Sequence, residues 1–376
     1  MRRKNIRFYC FRVLLLGMIL IGSTYLCQAD ESTDTFLFSE AVDTILRNSL
    51  KPDTSKWIIQ NALRLYLRQL DVYSDYLSPD EYSIFKRAQR NHYAGIGMEI
   101  LLDFRDNKIH CSPFPGSPAK EAGINCGDTL LQVDGRDISK NMSIFSIGAL
   151  IRGENGTPIN LLLQKSSGDI VSMNLLREKI IYKSVVLKKA DPVPVIQISN
   201  FSNKTDKELK SILINMGIDR PKIIDLRGNT GGDLFSAIKC ASLFISHDKR
   251  IVELKMKSKT ILYKSTEKPI DPDSKLFIWQ DDFTASASEV FIAAITQNKR
   301  GVSIGLKSHG KGVAQKLIEL SDGSAIIITY ATLHPPNGES FHKKGLKPDY
   351  LINSDIDNAE DAYAKTVWYL LNMGKS

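Results

Sequence analysis

Lys222-Ile223-Ile224-Asp225-Leu226-Arg227-Gly228-Asn229-Thr230-Gly231-Gly232 is the stretch that decides how this chain is read. It opens as a short apolar run of the kind a strand buried on both faces needs. It then passes through a glycine turn, after which Leu234, Ala237, Ile238, Ala241 and Phe244 recur at helical spacing. A strand feeding a helix through such a turn is the unit of a layered α/β core. Strands and helices alternate from Lys179 onward, so residues 179–376 are expected to form an α/β domain. The turn has neither the Walker nor the G-x-G-x-x-G spacing, which argues against phosphate binding; presenting a bare N–H to a carbonyl oxygen is its other use.

Upstream the texture differs. Gly95-Ile96-Gly97-Met98-Glu99-Ile100, Ile109 to Ser112, Leu130 to Val133 closed by Asp134-Gly135, Ile159 to Leu163 and Ile170 to Leu175 read as short strands, with one short helix over Ser117 to Ala122. Residues 93–178 are therefore expected to be a mostly-β module. Before them, residues 36–90 read as helical: Val42, Ile45 and Leu46 share a face, as do Ile58, Ala62, Leu65 and Gln69, and Ser78-Pro79-Asp80-Glu81 is a helix start, giving an N-terminal helical region over 30–92.

The N-terminus has the pattern of an export signal. Basic residues from Arg2 to Arg12 precede an apolar run from Val13 to Leu26, and Cys27-Gln28-Ala29 places small residues where signal peptidase needs them, so cleavage is expected after Ala29. Bulky Thr24-Tyr25-Leu26 before Cys27 excludes a lipoprotein site. An uncleaved signal would instead hold the chain on a membrane; either way the rest is expected outside the cytoplasm, in a periplasmic or comparable compartment. The formal charge of +8 is concentrated here: without the five basic residues of 1–29, 45 Lys and Arg face 42 Asp and Glu, a balance of +3. A surplus so small, with no dense basic patch, excludes nucleic acid as an expected partner. Cys111, Cys126 and Cys240 remain, an odd number expected as buried small hydrophobes, and no His/Cys/Glu spacing fits zinc, so neither metal nor cofactor is expected. Lys249 to Lys268 is lysine-rich, but Leu254 and Met256 alternate with Lys255 and Lys257, as in a half-buried strand whose lysines face water and protect an edge.

The chemistry concentrates in two further stretches. In Thr284-Ala285-Ser286-Ala287-Ser288-Glu289-Val290, the helical recurrence of Ala287, Val290, Phe291, Ala294 and Ile295 puts Ser286 at a helix start. Unpaired N–H groups and a partial positive charge there suit an oxyanion beside a nucleophile, although an N-cap serine with Glu289 closing a capping box is the plainer reading. In Ser308-His309-Gly310-Lys311-Gly312-Val313-Ala314-Gln315, a lysine between glycines can be desolvated and act as a neutral base, with Gln315 orienting its amine. His309 is a rival base, and His247-Asp248 could complete a Ser/His/Asp set. One donor from the glycine turn and one from Ala287 would make an oxyanion hole.

Together these stretches resemble the carboxyl-terminal processing peptidases, or tail-specific proteases. Leu70-Asp71-Val72-Tyr73-Ser74-Asp75-Tyr76-Leu77-Ser78-Pro79, Gly95-Ile96-Gly97, Pro115-Gly116-Ser117-Pro118-Ala119, Ala122-Gly123-Ile124, Gly127-Asp128, Val133-Asp134-Gly135, Ile151 to Thr157 and Arg177-Glu178 are similar to that family's pattern in its order, over residues 36 to 350. The resemblance implies an exported serine endopeptidase with a PDZ domain and an α/β core similar to the crotonase and Clp protease folds. It places the nucleophile on Ser286, the base on Lys311, the lysine's partner on Gln315 and the oxyanion donors on the N–H groups of Ala287 and Gly232. Two departures are Phe283-Thr284 where many members have Gly-Ser, and Thr230 in place of a common proline; neither removes a catalytic atom. In the PDZ domain, Gly95, Ile96, Gly97 and Met98 would bind a terminal carboxylate, and the strand edge from Met98 to Leu101 would pair with an extended peptide carrying a free apolar C-terminus. Arg152 is a candidate for coupling this domain to the active site. A catalytically silent peptide-binding scaffold and an acyl-CoA enzyme are the alternatives, and oligomerisation is left open.

Overall fold

The structure is a computed structural model that describes residues 33–50, 54–89, 94–138, 142–188, 193–217, 220–352 and 359–373. The export signal lies outside the described residues. The chain divides into two units, residues 1–69 and 70–376. The first contains a helix over 33–48 and nearly all of a second, Ser55–Leu70. Their apolar stripes do not pack as the spacing predicts: Val42 and Leu67 are buried, whereas Ile45 and Leu65 face solvent. Among the described residues no helix is long and apolar enough to cross a membrane.

In the second unit the stretch Lys222–Asp225 is a strand buried at every residue, as is Leu276–Gln280. They lie at the centre of a six-stranded sheet ordered Val185–Lys188, Val195–Ile198, Lys222–Asp225, Leu276–Gln280, Val302–Gly305 and Tyr350–Leu351, parallel except at the first pair. Alternate side chains leave opposite faces, which sorts the core into two layers. Ile224 and Ile278 pack with the helices Thr205–Met216, Leu234–Ser242 and Ala287–Gln297, while Ile223, Phe277 and Trp279 pack against Tyr363 and Val367 of the helix Ala359–Asn372. Phe291 anchors the helix Ala287–Gln297: it is fully buried, with ring centroids 6.1 Å from Phe201 and 6.2 Å from Phe244, and burying a side chain of this size contributes about 2–3 kcal/mol. Both charged residues of the central strand are paired: Lys222 with buried Asp271, which Arg300 also contacts at 3.3 Å, and Asp225 with Arg227 at 2.7 Å.

A second sheet carries Ala325–His334 in its middle, flanked by Arg250–Met256 and Val313–Glu319, with Thr260–Lys264 at its edge. Leu254 is buried while Lys255 faces water, so the lysine-rich stretch is a solvated hairpin. Asp75–Leu77 is the exception to the helical reading of 36–90: it is a strand, antiparallel to Ala325–His334. Asp71 explains the switch. Its Oδ1 accepts from the N–H groups of Tyr73 and Ser74, both at 2.8 Å, a local turn that competes with helix and releases an extended chain to the sheet.

The β module is an antiparallel sheet ordered Met98–Asp103, Lys108–Pro113, Thr129–Val133, Pro158–Gln164 and Ile170–Leu176. Asp134 and Gly135 both take positive φ in the tight turn after Thr129–Val133. Among the described residues Met98–Asp103 pairs on one side only and therefore presents an open edge, alongside the helix Ile144–Ile151. Buried Cys111 and Cys240 behave as core hydrophobes, but Cys126 is exposed on a turn, contrary to expectation, and none of the three is bonded.

Candidate active site

Ser286 owes its position to the end of the strand Leu276–Gln280. Asp281 follows it, and its Oδ1 accepts from the N–H groups of Phe283 and Thr284 at 3.1 and 2.9 Å, while its Oδ2 accepts from Gly228 N–H at 2.9 Å. One carboxylate thus fastens the serine turn to the glycine turn of the neighbouring strand. Burial pushes this carboxyl up to about 6. Ser286 itself has φ 57° and ψ −117°, a region that costs a non-glycine residue of order 1–3 kcal/mol and that concentrates at functional sites. An ordinary N-cap has extended backbone, so the helix begins at Ala287 and the serine is held on a sharp elbow before it. Gly231 makes room for the elbow: a Cβ there would lie 2.8 Å from Ser286 Cβ and 2.9 Å from Ala285 O.

Glu289, expected only as half of a capping box, binds the lysine loop to the serine. Its Oε2 accepts from the N–H groups of Ser286 and Lys311, both at 2.8 Å, and its Oε1 from Ser308 Oγ at 2.5 Å and Gly310 N–H at 2.7 Å. Burial raises its carboxyl to about 7 against the pull of those donors. Lys311 therefore starts from a fixed backbone. Its Nζ lies 4.9 Å from the centre of the Tyr73 ring, and burial brings its ammonium down to about 8, against the opposing influence of Glu99, Glu289 and Asp71.

The amides divide cleanly. Gly231 N–H is taken by Asn229 Oδ1 at 2.9 Å, whereas the N–H groups of Gly232 and Ala287 have no acceptor among the described residues. Gly232 adopts φ 121°, and a Cβ there would fall 2.1 Å from Phe201 O. If the Gly232 N–H is the oxyanion donor that the resemblance implies, Gly232→Ala should lower kcat/KM at least about a hundredfold, and the clash with Phe201 O should lower Tm; kinetics alongside a thermal melt check both.

Ser286, Lys311, Gln315 and Gly232 line one cleft of about 700 Å³, and the loop Gly95-Ile96-Gly97-Met98 lines it too, with Arg152. Ser286 Oγ and Lys311 Nζ share this space without a hydrogen bond between them. The rival bases are elsewhere. His309 is buried against Phe104, ring centroids 4.9 Å apart, burial lowers it to about 4, and it does not line the cleft. Asp248 is paired with Lys264 at 2.8 Å, and neither it nor His247 lines the cleft. Gln315 lines the same cleft as Lys311, and its Nε2 donates to Thr329 Oγ1 at 3.1 Å. In the strand Val313–Glu319 Gln315 lies opposite Thr329 in register. Tyr73, Glu99 and Asp281 are site residues that the sequence reading did not assign, although the first two fall within stretches quoted above. Asp103, Asp106 and His110 also come together, but Arg105 already holds the Asp103 carboxylate.

This chain is 32% identical over 372 residues to a "Probable CtpA-like serine protease" of Staphylococcus haemolyticus (strain JCSC1435), covering 93% of this chain and 74% of that one. The counterpart in Staphylococcus aureus (strain COL) is 34% identical over 374 residues, with 94% and 74% covered. The chain belongs to the CtpA-like serine proteases. Within this CtpA-like protease, residues 193–352 match the family model for peptidase family S41 and residues 112–165 that for the PDZ domain. The fold agrees with that of a photosystem II D1 C-terminal processing protease, with a TM-score of 0.71 at 23% identity over 88% of this chain and 96% of that one. It is thus a serine-type peptidase whose β module is a PDZ domain, an arrangement suited to peptide or protein substrates.

Proposed function

We propose that this protease is exported, holds substrates by a free apolar C-terminus in its PDZ domain and cuts near that end, with Ser286 as nucleophile and neutral Lys311 as general base. Residues 93–178 are read as the peptide-holding domain and 179–376 as the catalytic core, joined by the strand Asp75–Leu77 and akin to the crotonase and Clp protease folds. The observation that carries the reading is the single cleft running from the Gly95–Met98 loop to Ser286 and Lys311. A peptide added to the open edge of Met98–Asp103 would lie along this cleft.

In the mechanism, Lys311 Nζ closes on Ser286 Oγ as substrate binds, a tightening common to sites whose catalytic hydrogen bonds are long when empty. The amine takes the serine proton as Oγ attacks the scissile carbonyl. The N–H groups of Gly232 and Ala287 receive the oxyanion, and Lys311 returns the proton to the leaving amine. Water, deprotonated by the same lysine, then attacks the acyl carbonyl, and the lysine passes that proton to Oγ as the C–Oγ bond breaks and the product carboxylate leaves. The strained elbow and the Glu289 bridge keep nucleophile and base from drifting apart. The basic-apolar leader ending at Ala29 supports export. Family membership weighs against a silent scaffold, and the PDZ domain against an acyl-CoA enzyme.

A peptide with a free apolar C-terminus should be cleaved with at least about tenfold higher kcat/KM than its C-terminal amide, the difference residing mainly in KM, because removing the carboxylate forfeits charge-assisted hydrogen bonds. Equal kcat/KM for the two would overturn C-terminal recognition.

A further inference from the structure

Two pieces of the site meet at a residue that the mechanism leaves idle. Glu99 projects from the open-edged strand Met98–Asp103 into the cleft that holds Ser286 and Lys311. Its Oε2 accepts from Thr230 Oγ1, within the glycine turn, and its Oε1 from Asn200 Nδ2 at 3.1 Å. These two partners bracket Gly232. Thr230 is two residues before it, and Asn200 immediately precedes Phe201, which donates to Gly231 O at 2.8 Å and accepts from Asp233 N–H at 2.7 Å. Asn200 is itself placed by the Tyr182 hydroxyl at 2.7 Å, whose ring stacks on Phe114 with centroids 4.1 Å apart. A proline at position 230, where the resemblance predicts one, would have no hydroxyl to offer.

We propose that Glu99 is a positioning residue of the hydrolytic site: through Thr230 and Asn200 it fixes the turn that presents the Gly232 amide, and its carboxylate is the counter-charge of Lys311. The role rests on the reading of Lys311 as base. The charged and titratable groups facing Lys311 are Glu99 from the PDZ strand, Glu289 from the serine helix, Asp71 and the Tyr73 ring from the turn before Asp75–Leu77, and His309 from its own loop; those facing Glu99 are Lys311 and Arg152. Glu289 is committed to four donors and Asp71 to three, while Glu99 shares the cleft with Lys311, which draws its carboxyl down against the burial that raises it.

The two halves of the role separate by mutation. With the full chain and an unfolded protein substrate, kcat is followed from pH 6 to 10. Glu99→Gln removes the negative charge that favours the ammonium, so the acidic limb should move to lower pH by about half a unit or more. Thr230→Val keeps the charge and loses the hydrogen bond; it should lower the plateau about tenfold with the limb fixed, and Thr230→Ser should restore the rate. A limb that stays in place in Glu99→Gln overturns the counter-charge, including when the variant is merely less stable, since instability lowers the rate without moving the limb. An unchanged plateau in Thr230→Val overturns the positioning role. Lys311→Ala run in parallel keeps the two readings apart: if it is inactive while the Glu99→Gln limb is unmoved, only this proposal falls, and if it retains wild-type rate and limb, the base assignment falls first.

Discussion

Ser286→Ala is expected to abolish hydrolysis of an unfolded substrate, lowering kcat by at least about ten-thousandfold, while peptide binding in the PDZ domain survives. The size follows from the chemistry. Removing Oγ leaves the oxyanion donors of Gly232 and Ala287 and the binding cleft in place, but no atom to form the acyl bond, and water does not inherit the serine's position on the elbow. The backbone conformation at residue 286, with φ 57°, must be borne by alanine as well, so a small loss of stability is compatible with the result. Cleavage is measured by the appearance of new termini and binding by the same protein's affinity for a peptide with a free C-terminus. Cleavage at the wild-type rate would remove Ser286 from the mechanism, and loss of binding together with cleavage would mean that the variant is misfolded rather than chemically silent.

Lys311 gives the second large effect, and here the pH dependence carries the argument. Burial holds its ammonium near 8 instead of its ordinary 10.5. Only the neutral amine can accept the serine proton, and the neutral fraction rises with pH. The rate should therefore climb about tenfold per pH unit below 8 and level off above it, and at pH 7 about a tenth of the molecules are competent. Lys311→Ala should lower kcat about as far as Ser286→Ala, since residues that act as a unit are not additive. Lys311→Arg is the sharper test. It keeps the cation over the Tyr73 ring but cannot give up its proton in the working range, so it should be as inactive as alanine. Activity of the arginine variant would mean that the lysine serves as a charge and not as a base; a flat profile from pH 6 to 9 would mean that its deprotonation does not limit turnover.

Much of this could be read along the chain. The apolar run Lys222 to Leu226 and the stripe from Leu234 onward reported a buried strand and its helix, because periodicity records which face of a segment is dry. Asp134-Gly135 reported a tight turn because few residues accept positive φ, while Ser286 and Lys311 were local candidates whose roles came from the family resemblance. Errors arose where a segment's state depends on a distant partner. Asp75–Leu77 has too few residues to declare itself, and becomes a strand only because Ala325–His334 offers it an open edge. The surroundings of Gln315 likewise depend on a distant segment, since it lies opposite Thr329 in register and donates to its hydroxyl.

The sequence by itself therefore determined the kinds of elements, the division into a mostly-β module and an α/β core, and the residue types able to do the chemistry, since each is written in local periodicity and local backbone preference. Tertiary structure alone decided that Glu289 joins serine to lysine, that Asp281 joins the serine turn to the glycine turn, that Glu99 reaches from the PDZ strand to the oxyanion turn, and that burial lowers Lys311. The reason is physical: a hydrogen bond between residues 22, 53 or 131 positions apart, and the dielectric around a single amine, depend on what folding brings near, and no local pattern encodes either one.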